Sequence, residues 1–187
     1  DRIADAREYY VLAISIYQDH NMRPPLVGAE MALAELCLLE GSTMEARAHA
    51  EAARGAAESI NAEAVPWSIY GLLQRVAEAE GNADAVAMWR GRAQDAFATS
   101  PEAEGIRGHW APLIKAVADS CRGAALDVTT VEMVEKLEQA PQWQQLGERI
   151  WRILNGERGK ELYAESDYVD ALVLKSILQA IDHPPSE

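Results

Sequence analysis

Aromatic bulk, cysteine, histidine and basic charge are all scarce in this sequence, and each scarcity removes a class of protein. Phenylalanine occurs once, at Phe97. Two cysteines, Cys37 and Cys121, are too few for a disulfide-stapled secreted scaffold. Both fall on expected helix core faces and read as small hydrophobes in a reducing compartment, which points to the cytoplasm, with a single bridge between them left open. The four histidines, at positions 20, 49, 109 and 183, are scattered. Glu45 and His49 lie one helical turn apart, as metal ligands can, yet no third ligand is near in sequence and a surface ion pair is the expected role. Neither a metal nor another cofactor is expected.

Basic residues number 17 against 30 acidic ones, a formal net charge of -13. Such a surface repels phosphate backbones and anionic lipid heads, so nucleic acid and acidic membranes are excluded as principal partners. Long apolar runs are absent too. The longest, "ALVLKSILQAI" at 171–181, is interrupted by Lys175, Ser176 and Gln179 and falls short of the ~18 apolar residues a membrane span needs. The chain opens on Asp1 without an initiator Met or a signal-like region, and a fragment of a longer protein is expected.

What the sequence has in abundance is alanine, its commonest residue. Alanine is the best helix former and the side chain that lets helices approach closely, so the expectation is an all-α protein of one domain. Residues 2–20 carry a helical apolar stripe of Ile3, Ala6, Tyr10, Ala13, Ile14 and Tyr17. The prolines of "NMRPP" are expected to stop it, with the next helix running from Leu26 to Glu40. Gly41-Ser42 ends that helix, and Ser42 or Thr43 is expected to cap one whose face is Ala46, Ala50, Ala53, Ala57 and Ile60.

The pattern then recurs. Ile69, Leu72, Leu73 and Val76 form a stripe, Gly81-Asn82 breaks it, and a helix with Ala85, Met88, Trp89 and Ala96 follows. A third version begins at "GIRGHWAPLIK" and breaks at Gly123. Gly41, Gly81 and Gly123 thus recur at a nearly constant interval, the signature of stacked units that cannot bury their faces alone. Beyond Gly123 the repeat fades through "VTTVEMVEKLEQA", a segment with Pro141 at a helix start, and "DYVDALVLKSILQAI", apolar on nearly every side. Residues 1–125 are therefore expected to be repeats and 126–187 capping helices of the same domain, with "HPPSE" as a frayed tail.

The order Trp67, Gly71, Gly81-Asn82 and Ala85, like Ala34, Gly41, Ala46 and Ala53 before it, resembles the tetratricopeptide repeat. The interval here is longer than that of the common repeat and its closing proline is missing; the alanine-rich variant is similar to repeats of large bacterial multidomain regulators. The resemblance implies a right-handed stack of antiparallel helical hairpins, an α-solenoid with a C-terminal helical cap. It implies a groove lined by first helices, and on it Glu35, Ser68, Arg75, Lys115 and Asp119 would touch a protein or peptide, or another domain of the same chain.

Other features have plainer roles. The five tryptophans are expected to fill gaps between hairpins, with Trp143, next to Pro141, the best placed to meet a ligand. "GERGKEL" at 156–162 lacks the spacing and the hydroxyl of a phosphate loop and is expected to link two helices. No nucleophile or acid–base constellation is evident, so the expected function is a non-catalytic interaction scaffold in a signalling protein. The alternative is the ligand-sensing arm of a multidomain ATPase, protease or transcriptional regulator; self-association through the last helix is a third possibility.

Overall fold

The computed structural model describes residues 2–61 and 65–183, and among these it contains nine α-helices and no strand. They are α1 (Arg2–Asp19), α2 (Arg23–Leu39), α3 (Thr43–Ile60), α4 (Trp67–Ala79), α5 (Ala83–Ala98), α6 (Pro101–Cys121), α7 (Val128–Gln139), α8 (Gln144–Leu154) and α9 (Tyr168–Asp182). The expected frayed tail at 184–187 lies outside the described residues. No described helix is long and apolar enough to cross a membrane.

Packing divides the chain elsewhere than the repeat count does. The compact units are Asp1–Ala96 and Phe97–Glu187, so α6, which the glycine spacing groups with the repeats, folds with α7 to α9. In the first unit α2 is central, packed against α1, α3 and α4, and α3 also meets α4. Its core joins Leu26, Leu33, Ile69, Leu72, Leu73 and Val76 to many alanines, among them Ala34, Ala46 and Ala50, each fully buried. In the second unit α6 packs against α7, α8 and α9 around Leu113, Val117, Ile150, Ile153, Leu174 and Ile177.

One type of turn closes α2, α4, α6 and α8. Gly41, Gly81, Gly123 and Gly156 all have positive φ, between 70° and 105°, and each is flanked by the same pair of backbone bonds. At the first of them, Gly41 N–H donates to the Leu38 carbonyl and Ser42 N–H reaches back to the Cys37 carbonyl at 2.8 Å. Asn82 to Ala77, Ala124 to Asp119 and Glu157 to Arg152 repeat that longer bond. This left-handed closure satisfies the last carbonyls of a helix and suits glycine, which has no Cβ to clash.

The same turn ends α1, which corrects the expectation placed on its prolines. Asn21 has φ of 53°, and Met22 N–H donates to the Tyr17 carbonyl at 2.8 Å. Asparagine is among the few other residues that visit this region readily. Pro24 and Pro25 therefore stop nothing; they sit in the first turn of α2, where the missing N–H would have had no partner, and α2 starts at Arg23, ahead of the expected Leu26. Other boundaries move for similar reasons. Ser100 Oγ accepts from Ala103 N–H at 3.3 Å, so α6 begins at Pro101, ahead of "GIRGHW". Ser42 occupies the N-cap of α3 without a side-chain bond, and Pro141 lies in the turn before α8. Asn82 Oδ1 does cap α5, accepting from Ala85 N–H at 3.1 Å.

Candidate interaction surface

Glu35 on α2 and Arg75 on α4 meet: Arg75 Nη2 lies 2.8 Å from Glu35 Oε1. Both side chains are more than half exposed. Each lies at the same distance before its turn glycine, Gly41 and Gly81, so they occupy the same place in successive units. Ser68, half-buried at the start of α4, stands on the same helix two turns earlier. In the second unit Lys115 and Asp119 pair along α6 at 2.5 Å, and Arg122 also reaches Asp119. The Lys115 ammonium, followed by the Arg122 guanidinium, holds the Asp119 carboxyl below its usual range. Of the five expected groove residues, the structure thus joins two pairs.

A second set of contacts has the same period and was not anticipated. Arg7 on α1 binds Glu40, the residue before Gly41, at 2.5 Å. One period on, Arg47 on α3 binds Glu80, the residue before Gly81, with Nε 2.7 Å from Oε1 and Nη2 on the other oxygen. Arg7 and Arg47 are equivalent positions, as are Glu40 and Glu80, so one clamp recurs with both partners shifted by the repeat. The signal was present as Arg and Glu at one identical separation, twice, but it connects different helices and escapes a search for partners a single turn apart on one helix. Hydrogen bonds from Arg47 push the Glu80 carboxyl below its ordinary pKa. The third equivalent of Glu40 is Arg122, of opposite charge, which donates to the Ala180 carbonyl instead.

The Glu45 and His49 pair divides. Glu45 binds Arg7, which lowers its pKa, and His49 Nδ1 lies 2.7 Å from Glu30 Oε2, with Glu30 buried on α2. Cys37 is buried beside Arg7 and Glu45; burial raises its thiol pKa although Arg7 opposes the shift. Both cysteines are free thiols. Among the described residues no group of three His, Cys, Asp or Glu side chains is arranged to hold a metal ion.

Trp89 is buried, stacked on Tyr70 with ring centres 6.0 Å apart and the Arg92 guanidinium 5.1 Å from the ring centre. It is packing between α4 and α5. Trp110 and Trp143 meet edge to face at 5.3 Å, and both are half-buried. The "GERGKEL" segment links α8 to α9 and includes a single 3-10 turn, Lys160–Leu162. No family model, curated protein or solved structure matches the chain.

Proposed function

We propose that the first unit, residues 1–96, is built of tetratricopeptide-like hairpins and that it serves as a non-catalytic module holding a protein or peptide segment. The observation that carries this reading is the equivalence of contacts at a constant offset. Glu35 meets Arg75, its own counterpart one unit on, and the Arg7–Glu40 clamp returns as Arg47–Glu80. Side-by-side contact between equivalent residues is what translation of one unit onto the next produces. First helices α2 and α4 then present Glu35, Ser68 and Arg75 on one exposed face, polar and of mixed charge, suited to a polar segment.

A photo-crosslinking amino acid at Ser68 tests the reading, with the same group at Met44, 83% exposed on α3, as the off-face control. Irradiation in cells is expected to trap a protein, or another segment of this chain, through position 68 and not through 44. Equal capture at both positions, or none at 68, overturns it.

A further inference from the structure

A groove of about 340 Å³ opens between α6 and α7 in the second unit. Its walls are apolar: Trp110, Leu113, Met133 and Leu137. At its lip stand His109 and Lys136. Among the described residues no carboxylate lines it, although the chain as a whole carries a net charge of -13. Glu132 and Glu135 belong to the same helix α7 and lie outside the lining. Lys136 forms no ion pair with any described residue, unlike Arg7, Arg47, Arg54, Arg75, Arg90, Lys115, Arg122 and Arg152.

The local sequence is also costly. Gly105, Gly108 and Pro112 fall within about two turns of the unbroken helix α6. Interior glycine weakens a helix relative to alanine, and interior proline weakens it far more. Pro112, which lines the groove, has no N–H to give the carbonyl one turn earlier in the helix. Local rules broken without an evident structural gain concentrate at functional sites. The aromatic wall is braced as well, since Trp110 is held edge to face by both His109 at 5.7 Å and Trp143 at 5.3 Å.

We propose that this groove binds a small apolar monocarboxylate, its hydrocarbon or ring portion against Trp110, Leu113, Met133 and Leu137 and its carboxylate at Lys136 and His109. The volume is at the lower end for small-molecule sites, and an apolar pocket with a few convergent polar groups is what such ligands use. Charge complementarity selects the sign: an anion gains an unpaired ammonium, while a cation meets only that ammonium and an acidic molecule beyond it. This site is independent of the Glu35–Arg75 face and stands or falls separately.

The test is a titration of the folded chain with 2-naphthoate and with its neutral amide, 2-naphthamide, following the indole N–H resonances of Trp110 and Trp143. Naphthoate is expected to shift Trp110 and to bind about fivefold more tightly than the amide, the ratio one half-exposed ion pair supports. Lys136→Glu, an exposed substitution, is expected to abolish that preference, and Lys136→Arg to keep it. Equal affinity for acid and amide, an undiminished preference in Lys136→Glu, or shifts that spare Trp110 would overturn the proposal. An unchanged helical circular dichroism spectrum for each variant separates loss of binding from loss of fold.

Discussion

The two compact units fill their interiors differently. In Asp1–Ala96 the clustered core mixes large side chains with almost as many alanines, Ala29, Ala34, Ala46, Ala50, Ala56, Ala57 and Ala77. In Phe97–Glu187 the clustered core described is leucine, isoleucine and valine, braced by half-buried tryptophans. An alanine interface brings helix backbones close, so its specificity is steric: it resists enlargement. An aliphatic interface derives its stability from buried volume, so it suffers most from truncation. The repeat is easy to read in the first unit because small residues at fixed spacing are needed for every close crossing. It fades in the second because volume can be distributed in many ways.

Truncation in the second unit should have the largest effect. Ile150 on α8 is fully buried within the aliphatic cluster. Ile150→Ala is expected to lower stability by about 3–4 kcal/mol, read as a shift in urea midpoint at constant slope. Enlargement in the first unit comes next. Ala50 on α3 is fully buried where α3 meets α2 and α4, and Ala50→Leu is expected to cost about 2–3 kcal/mol by forcing the helices apart. Were Ala50→Leu neutral, the close-approach account of the first unit would be lost.

How far the sequence discloses this difference depends on the range of the interaction. The turns at Gly41, Gly81 and Gly123 were legible because a left-handed residue is a local requirement. The turn at Asn21 was not, because two prolines nearby offered a stronger and mistaken reason for the helix to end. The repeat register marks Glu35 and Arg75 as equivalent positions, six residues before Gly41 and Gly81, though not that they touch. The Arg47–Glu80 clamp and the unit boundary at residue 96 depend on contacts between helices, which no window of one helix contains. The groove at Trp110 was missed for the same reason: its walls come from α6 and α7 together.

Buried charge separates the units again. Glu30 in the first is bonded to His49, whereas Asp170 in the second, at the start of α9, is buried with Oδ1 unpartnered. Burial, and secondarily the Asp167 carboxylate, raise the Asp170 pKa to about 6, with Arg149 opposing them. A carboxyl whose pKa is raised on folding favours the fold while protonated and loses that contribution as pH rises from about 4 through 6. Asp170→Asn should therefore leave stability unchanged near pH 4 and raise it by about 1–3 kcal/mol at pH 7.5. A pH-independent effect, measured by thermal unfolding across that range, would mean that Asp170 is not held in the state its surroundings favour.

The smallest expected effect tests the repeat most directly. The Arg47 and Glu80 side chains are 32% and 24% exposed, and their forked geometry is better than that of a single contact. A double-mutant cycle on Arg47→Ala and Glu80→Ala is expected to give a coupling of about 0.5–1 kcal/mol, falling in high salt. The equivalent cycle on Arg7 and Glu40 should give a value of the same sign, somewhat smaller because Arg7 divides its guanidinium between Glu40 and Glu45. In the second unit the matching position is Arg122, whose partners are Asp119 and a backbone carbonyl of α9, so Arg122→Glu should disrupt where a repeat-consistent residue would be expected to help. If that reversal instead stabilised the second unit, the bonds of Arg122 to Asp119 and to the Ala180 carbonyl would not be what holds this end of α6.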